Sequence, residues 1–198
     1  MKIAWQLVFV FLPFWAQAQE LIPYHKAVPK ITKDGTVKMP NGKGTLKIEG
    51  YLDKNVTVFY IVRHAEKDTA GGSNADLNPI GRGRANALVD MFKRTRIQKV
   101  YSTDVPRTKS TAKPLAKFKR RPVEIYNAKK QKEFLESVLA EGSGRKIFIV
   151  GHSNTVPHLV NILRGGTEEK DLPDSEYSRM YIVSVKKIGD AKVQIINF

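Results

Sequence analysis

The sequence predicts an α/β fold: a three-layer α/β/α sandwich around a mostly parallel central sheet. Three observations lead there. Two nearly continuous apolar runs, Val56–Val62 and Ile147–Val150, suit strands buried on both faces. Between and after them, apolar residues recur at helical spacing. From residue 55 onward, strand-like and helix-like stretches alternate, the pattern of parallel strands joined by helical crossovers.

The elements follow in order. Residues 19–54 carry Pro23, Pro29 and Pro40 with short alternating stretches, and read as an N-terminal extension of short β pieces. Thr36–Met39 and Thr45–Ile48 form a hairpin in it, with Asn41-Gly42 as the turn. Residues 55–198 form the main domain, opening on the Val56–Val62 strand. Asn78-Pro79 starts a helix as N-cap and first helical residue, carrying Ala85, Leu88, Met91 and Phe92. Lys99–Ser102 is a short strand. Val105, Thr108, Ala112 and Leu115 mark a helix with a kink expected at Pro114. Val123–Tyr126 is a strand, and Phe134, Leu135, Val138 and Leu139 a helix. Lys146–Val150 is the second fully buried strand. Val156, Leu159, Val160 and Leu163 form an i, i+3, i+4, i+7 stripe closed by Gly165-Gly166. Met180–Val185 and Val193–Ile196, around Gly189-Asp190, read as a hairpin at a sheet edge.

Composition narrows the function. The 198 residues include no cysteine, which removes disulfides, thiolate nucleophiles, Cys-based zinc sites and Cys lipidation. Lys and Arg number 34 against 19 acids, a formal charge of +15 that favours an anionic partner. At the start, Lys2, the apolar run Ile3–Trp15 and the A-x-A sequence Ala16-Gln17-Ala18 read as a signal peptide over residues 1–18. The expectation is an exported protein, periplasmic or secreted. The run is short for a bilayer span, so no stable membrane insertion is expected after cleavage.

Three features fall just past the carboxyl ends of strands: Arg63-His64, Arg107 and Gly151-His152. In an open α/β sheet the ligand crevice lies outside those ends. Two arginines and two histidines there suit a phosphate dianion, because a guanidinium is a permanently charged, forked donor. Helix starts after Asn78 and after Ser153-Asn154 would add backbone N–H donors. Asn78 and Ser153 are therefore expected in substrate binding.

The segments Val62-Arg63-His64-Ala65-Glu66, Ser102–Thr108 with Thr111-Ala112, and Val150–Thr155, together with Leu77-Asn78-Pro79-Ile80-Gly81-Arg82, resemble the histidine phosphatase superfamily, which is phosphoglycerate-mutase-like. The resemblance covers roughly residues 56–185 with its motifs in register. It implies a phosphomonoester hydrolase in which His64 is the nucleophile and forms a phosphohistidine. Arg63, Arg107 and His152 would hold the phosphoryl oxygens, and neither metal nor cofactor is needed. The family usually places an acid between the second arginine and the second histidine, as proton donor to the leaving group. Glu133 is preferred here, with Glu124, Glu136 and Glu66 as alternatives; Asn127 stands where an acid is expected in similar secreted members.

Other readings are weaker. Gly151–Thr155 lacks the final glycine of a serine-hydrolase elbow. A metal site on His64 and His152 would suffer repulsion from the flanking arginines. A nucleic-acid partner would rest on net charge alone. His158 and His25 receive no role, Arg82 and Arg84 read as solvated helix residues, and the Lys113–Arg121 basic cluster as a solvated face. Short connections leave little room for the clamping insertions of a phosphomutase. The expected partner is a small phosphorylated substrate, an envelope sugar phosphate among the options. The alternative from another class is a phosphate-binding module with weak or lost catalysis.

Overall fold

The computed structural model describes residues 28–198; the expected signal peptide and His25 lie outside that range. A small antiparallel sheet comes first, from β1 (Lys30–Ile31), β2 (Thr36–Lys38) and β3 (Thr45–Lys47). The expected hairpin is β2–β3, with Lys38 opposite Thr45. Its connection is longer than a two-residue turn. Residues 39–44 form a 3-10 turn with Asn41 and Gly42 both at positive φ, closed by the Met39 amide donating to the Gly44 carbonyl.

The main sheet contains β4 (Thr57–Arg63), β5 (Lys99–Ser102), β6 (Val123–Ile125), β7 (Lys146–Gly151), β8 (Arg179–Val185) and β9 (Ala191–Asn197). Its order is β6-β5-β7-β4-β8-β9. The first four run parallel, and β8 and β9 add antiparallel at one edge. The chain leaves β4, builds β5 and β6 outward, then returns to insert β7 between β5 and β4. That return creates the switch point at which an α/β sheet opens a crevice.

Four helices cover the sheet: α1 (Pro79–Phe92), α2 (Pro106–Lys119), α3 (Gln131–Ala140) and α4 (Thr155–Arg164). Alternation along the strands sorts the core into two layers. Val58, Tyr60 and Val62 pack with Leu88, Met91 and Leu115 of α1 and α2. Phe59 and Ile61 pack with Leu135, Leu159 and Val160 of α3 and α4. The small sheet joins the first layer through Ile31, Val37 and Ile48, so its core is continuous with that of the main domain. Gln194 of β9 fastens it further, donating to the Lys47 carbonyl at 2.9 Å and accepting from the Glu49 amide at 3.2 Å.

Helix α2 continues through Pro114 as one element of 14 residues. One local expectation changes. Lys119 is not a solvated lysine of a basic face. Its Nζ donates to the Phe92 and Thr95 carbonyls at 2.6 and 2.5 Å, neutralising the carbonyl-rich end of α1. No helix among the described residues is long and apolar enough to cross a membrane.

Candidate active site

The carboxyl ends of β4, β5 and β7 meet at a cleft of about 460 Å³ lined by Arg63, His64, Arg107 and His152. Strand β4 delivers Arg63 and the residue after it, His64, whose amide donates to the Gly151 carbonyl on β7 at 2.9 Å. His152 follows β7 immediately, and its amide donates to Thr155 Oγ1 at the start of α4. Arg107 sits in the first turn of α2, just past β5. The two imidazole rings lie 5.6 Å apart between centroids and are tilted at 68°.

His64 has a defined tautomer. Its Nδ1 lies 2.8 Å from the Ala65 carbonyl, which can only accept, so Nδ1 carries the proton and Nε2 keeps its lone pair. Burial pushes the His64 pKa down to about 3; the Ala65 hydrogen bond opposes the shift, and the charges of Arg63 and Arg107 add to it. His152 is pushed down to about 4 by burial, then by Arg107 and Arg63. Both rings are therefore neutral at neutral pH. His152 Nε2 is held 3.0 Å from Thr103 Oγ1, itself 2.9 Å from Thr108 Oγ1.

These shifts have a consequence for stability. Both folded-state values lie below the ordinary histidine value, so the unfolded chain takes up protons first as pH falls. Stability present above pH 6.5 is lost on acidification toward pH 3–4. In urea unfolding, a His64→Gln/His152→Gln double variant is expected to lose less stability between pH 6.5 and pH 4 than the parent. Equal slopes would remove these histidines as the cause.

The arginines are held in different ways. Arg63 has a side chain only 5% exposed. Its Nη1 donates to the carbonyls of Pro173, Asp174 and Glu176 at 2.9, 3.0 and 3.2 Å, and its guanidinium carbon stands 4.3 Å from the Tyr177 ring centroid. Arg107 Nη1 donates to the Ser73 carbonyl at 2.8 Å. The buried Nε of each arginine has no hydrogen-bond partner among the described residues. Two desolvated guanidiniums beside two neutral imidazoles make a strongly positive, donor-rich cleft. An oxyanion is the species that such a cleft would hold.

The expected acids do not join this cluster. Glu133, in the first turn of α3, is exposed and outside the cleft, as is Glu136. Glu124 is paired with Lys99 at 2.9 Å. Glu66 is engaged by Arg84, which contradicts the solvated reading of that arginine. Arg84 Nε and Nη2 donate to the Glu66 carboxylate at 2.6–3.0 Å, and the two side chains are 11% and 16% exposed. Asn78 is also elsewhere. Its side-chain oxygen caps α1 by accepting from the Gly81 amide at 2.8 Å, and it does not line the cleft. Gly81 is required here, because a Cβ would come within 2.2 Å of the Glu66 carbonyl oxygen. Ser153 does line the cleft, and its carbonyl accepts from the Leu172 amide at 2.9 Å.

Sequence reasoning missed Lys67, Asp171 and Asp174, which also line the cleft. The search for an acid stopped at His152, whereas both aspartates follow it, in the connection between α4 and β8. Their signal was faint: a polar, proline-bearing stretch without periodicity. Among the described residues, no group of three or more His, Asp or Glu is arranged to hold a metal ion.

Sheet order and helix layers define an α/β protein of the phosphoglycerate-mutase-like fold. The family model described as the histidine phosphatase superfamily (branch 1) matches residues 59–128. The matched segment carries Arg63, His64 and Arg107. The solved structure of the protein histidine phosphatase SixA, complexed with tungstate, aligns with a TM-score of 0.58 at 18% identity, over 71% of this chain and 96% of that one. Mycobacterial glucosyl-3-phosphoglycerate phosphatase aligns at 0.59 and 13% identity, over 72% and 99%. Phosphoserine phosphatase from Entamoeba histolytica, in complex with phosphoserine, aligns at 0.57 and 13%, over 70% and 95%. At these identities the likeness concerns the fold. Among curated proteins, none matches the sequence significantly.

Proposed function

We propose that this chain is a metal-independent phosphomonoester hydrolase that works through a phosphohistidine on His64. One observation carries the reading: a neutral His64 with its Nε2 lone pair free, in a cleft where Arg63, Arg107 and His152 converge. The Nε2 lone pair forms the N–P bond as the P–O bond to the leaving group breaks. Arg63, Arg107 and His152 stabilise the charge on the phosphoryl oxygens. Water then attacks phosphorus, the N–P bond breaks, and inorganic phosphate leaves. The Nδ1–H···Ala65 bond holds the ring in the reactive tautomer throughout.

The leaving group needs a proton, and the cleft offers two carboxyl groups for it. Asp174 is engaged by Arg63, 3.4 Å from its Nη2. Asp171 is left as the donor, and as the base for the attacking water. Asp171→Asn is expected to slow hydrolysis of alkyl phosphates about 10²-fold or more and to spare aryl phosphates, whose leaving groups depart unaided. Parallel losses on both substrate types would remove Asp171 from this role.

The substrate is a small phosphorylated compound, with an envelope sugar phosphate as the natural class if residues 1–18 direct export. The direct test is chemical trapping. Turnover in EDTA, quenched in alkali, is expected to leave an acid-labile phosphoryl group on the peptide bearing His64. Phosphate binding without turnover or trapping would favour the binding-module reading instead.

A further inference from the structure

We infer that the pole of the molecule opposite the active site is a docking face for anionic phospholipid membranes. A second cleft, of about 580 Å³, lies there, lined by Lys33, Leu52, Lys93, Arg94, Arg96 and Lys146. Lys146 opens strand β7, and the other end of that strand carries His152. Six residues of strand put this face roughly 20 Å from the active site. An adjoining cleft shares Lys93 and Arg94 and adds Lys30 and Lys38, with Asp90 as its acid.

The charge on this face is largely uncompensated. Among the ion pairs between described residues, none includes Lys33, Lys93, Arg94 or Arg96. The nearby acids have other cations: Asp34 is paired with Lys47 at 2.8 Å, and Asp53 with Lys186 at 3.3 Å.

Leu52 points to a membrane as the partner. It is 69% exposed among these cations, the most exposed large apolar residue of the described chain. A single exposed leucine is ordinary. This one stands next to buried Tyr51 inside a turn closed by the Asp53 amide donating to the Gly50 carbonyl at 3.0 Å. An apolar tip ringed by lysine and arginine matches a bilayer surface, where cations meet lipid phosphates and the tip enters the acyl boundary. A single-stranded nucleic acid would instead call for exposed stacking rings; the aromatic residue of the cleft, Tyr51, is buried. Docked this way, the catalytic cleft faces away from the bilayer, toward water-soluble substrate.

The test is co-sedimentation with vesicles of phosphatidylcholine alone or mixed with phosphatidylglycerol. It is run on the full chain and, in parallel, on the chain from Gln19, which separates any contribution of the apolar run Ile3–Trp15. Binding is expected only to the anionic vesicles, and to weaken with salt. Lys93→Glu/Arg94→Glu/Arg96→Glu is expected to lower partitioning more than 100-fold, at about fivefold or more per cation. Leu52→Ser is expected to lower it about tenfold. Unchanged thermal unfolding midpoints in both variants keep a folding defect from being mistaken for lost docking. Absent or charge-independent vesicle binding would overturn the inference. So would equal retention on duplex DNA with Leu52→Ser silent on both, which marks a general polyanion surface.

Discussion

His64→Ala is expected to lower aryl-phosphate turnover in EDTA by about 10⁴-fold or more, the scale on which removing a covalent nucleophile acts. The substitution deletes the imidazole whose Nε2 lone pair the Nδ1–H···Ala65 bond leaves free beside Arg63 and Arg107, and His152 is no substitute because its Nε2 is hydrogen-bonded to Thr103. Phosphate binding should survive, since Arg63 and Arg107 are untouched. An aryl phosphate is the right probe because its leaving group needs no acid, so the result reports on the nucleophile alone. Equal rates in parent and variant would sink the phosphohistidine route. Residual activity rescued by added imidazole would instead strengthen it, because the vacated cleft would admit the missing ring.

Arg63→Ala should do damage of two kinds. Its Nη1 satisfies three carbonyls of the 173–176 segment, and its plane supports Tyr177. Hydrogen bonds to a charged group and the loss of a buried side chain together are worth about 3 kcal/mol, or roughly 6–12 °C in Tm for a domain of this size. The same residue brings an unsatisfied Nε–H to the cleft, so kcat/KM should fall about 10²–10³-fold besides. Arg63→Lys separates the two contributions. A lysine restores charge but not the fork that spans carbonyls and phosphate together, so activity should recover less than stability. If Arg63→Ala melts like the parent, the clamp on the 173–176 segment is not structural.

The fold was legible because strand and helix periodicities are strong here. The apolar β4 and β7 runs could only be doubly buried strands, and the Val156–Leu163 stripe only a packed helix face. The carboxyl-end rule then brought Arg63, His64, Arg107 and His152 to one edge, although Arg63 and His152 are 89 positions apart. What sequence could not give was the fate of groups whose partners come from distant loops. Arg84 carries no mark that distinguishes it from Arg82, yet one is buried against Glu66 and the other pairs with Asp76 at the surface. Asn78 satisfied two expectations at once, cap and ligand, and one side chain could serve only the first. Glu133 has the right spacing after Arg107, but the first turn of α3 points it to solvent. Asp171 and Asp174 reach the cleft through an irregular connection, whose path no periodicity encodes.

The Glu66–Arg84 pair constrains how this sequence can drift. Glu66 lies two residues past His64, and Arg84 fixes it from helix α1. Losing Arg84 alone strips the half-buried Glu66 carboxylate of its partner, at about 3 kcal/mol, while losing Glu66 alone leaves Arg84 its bond to the Phe198 carbonyl at 2.7 Å. Losing both to a well-packed apolar pair is nearly neutral. The two positions, 18 residues apart, therefore behave as a coupled inherited character. A lineage leaves the charged state in one paired event, by losing Glu66 first, or through a poorly folding intermediate, and the segment that presents the reactive histidine carries that history with it.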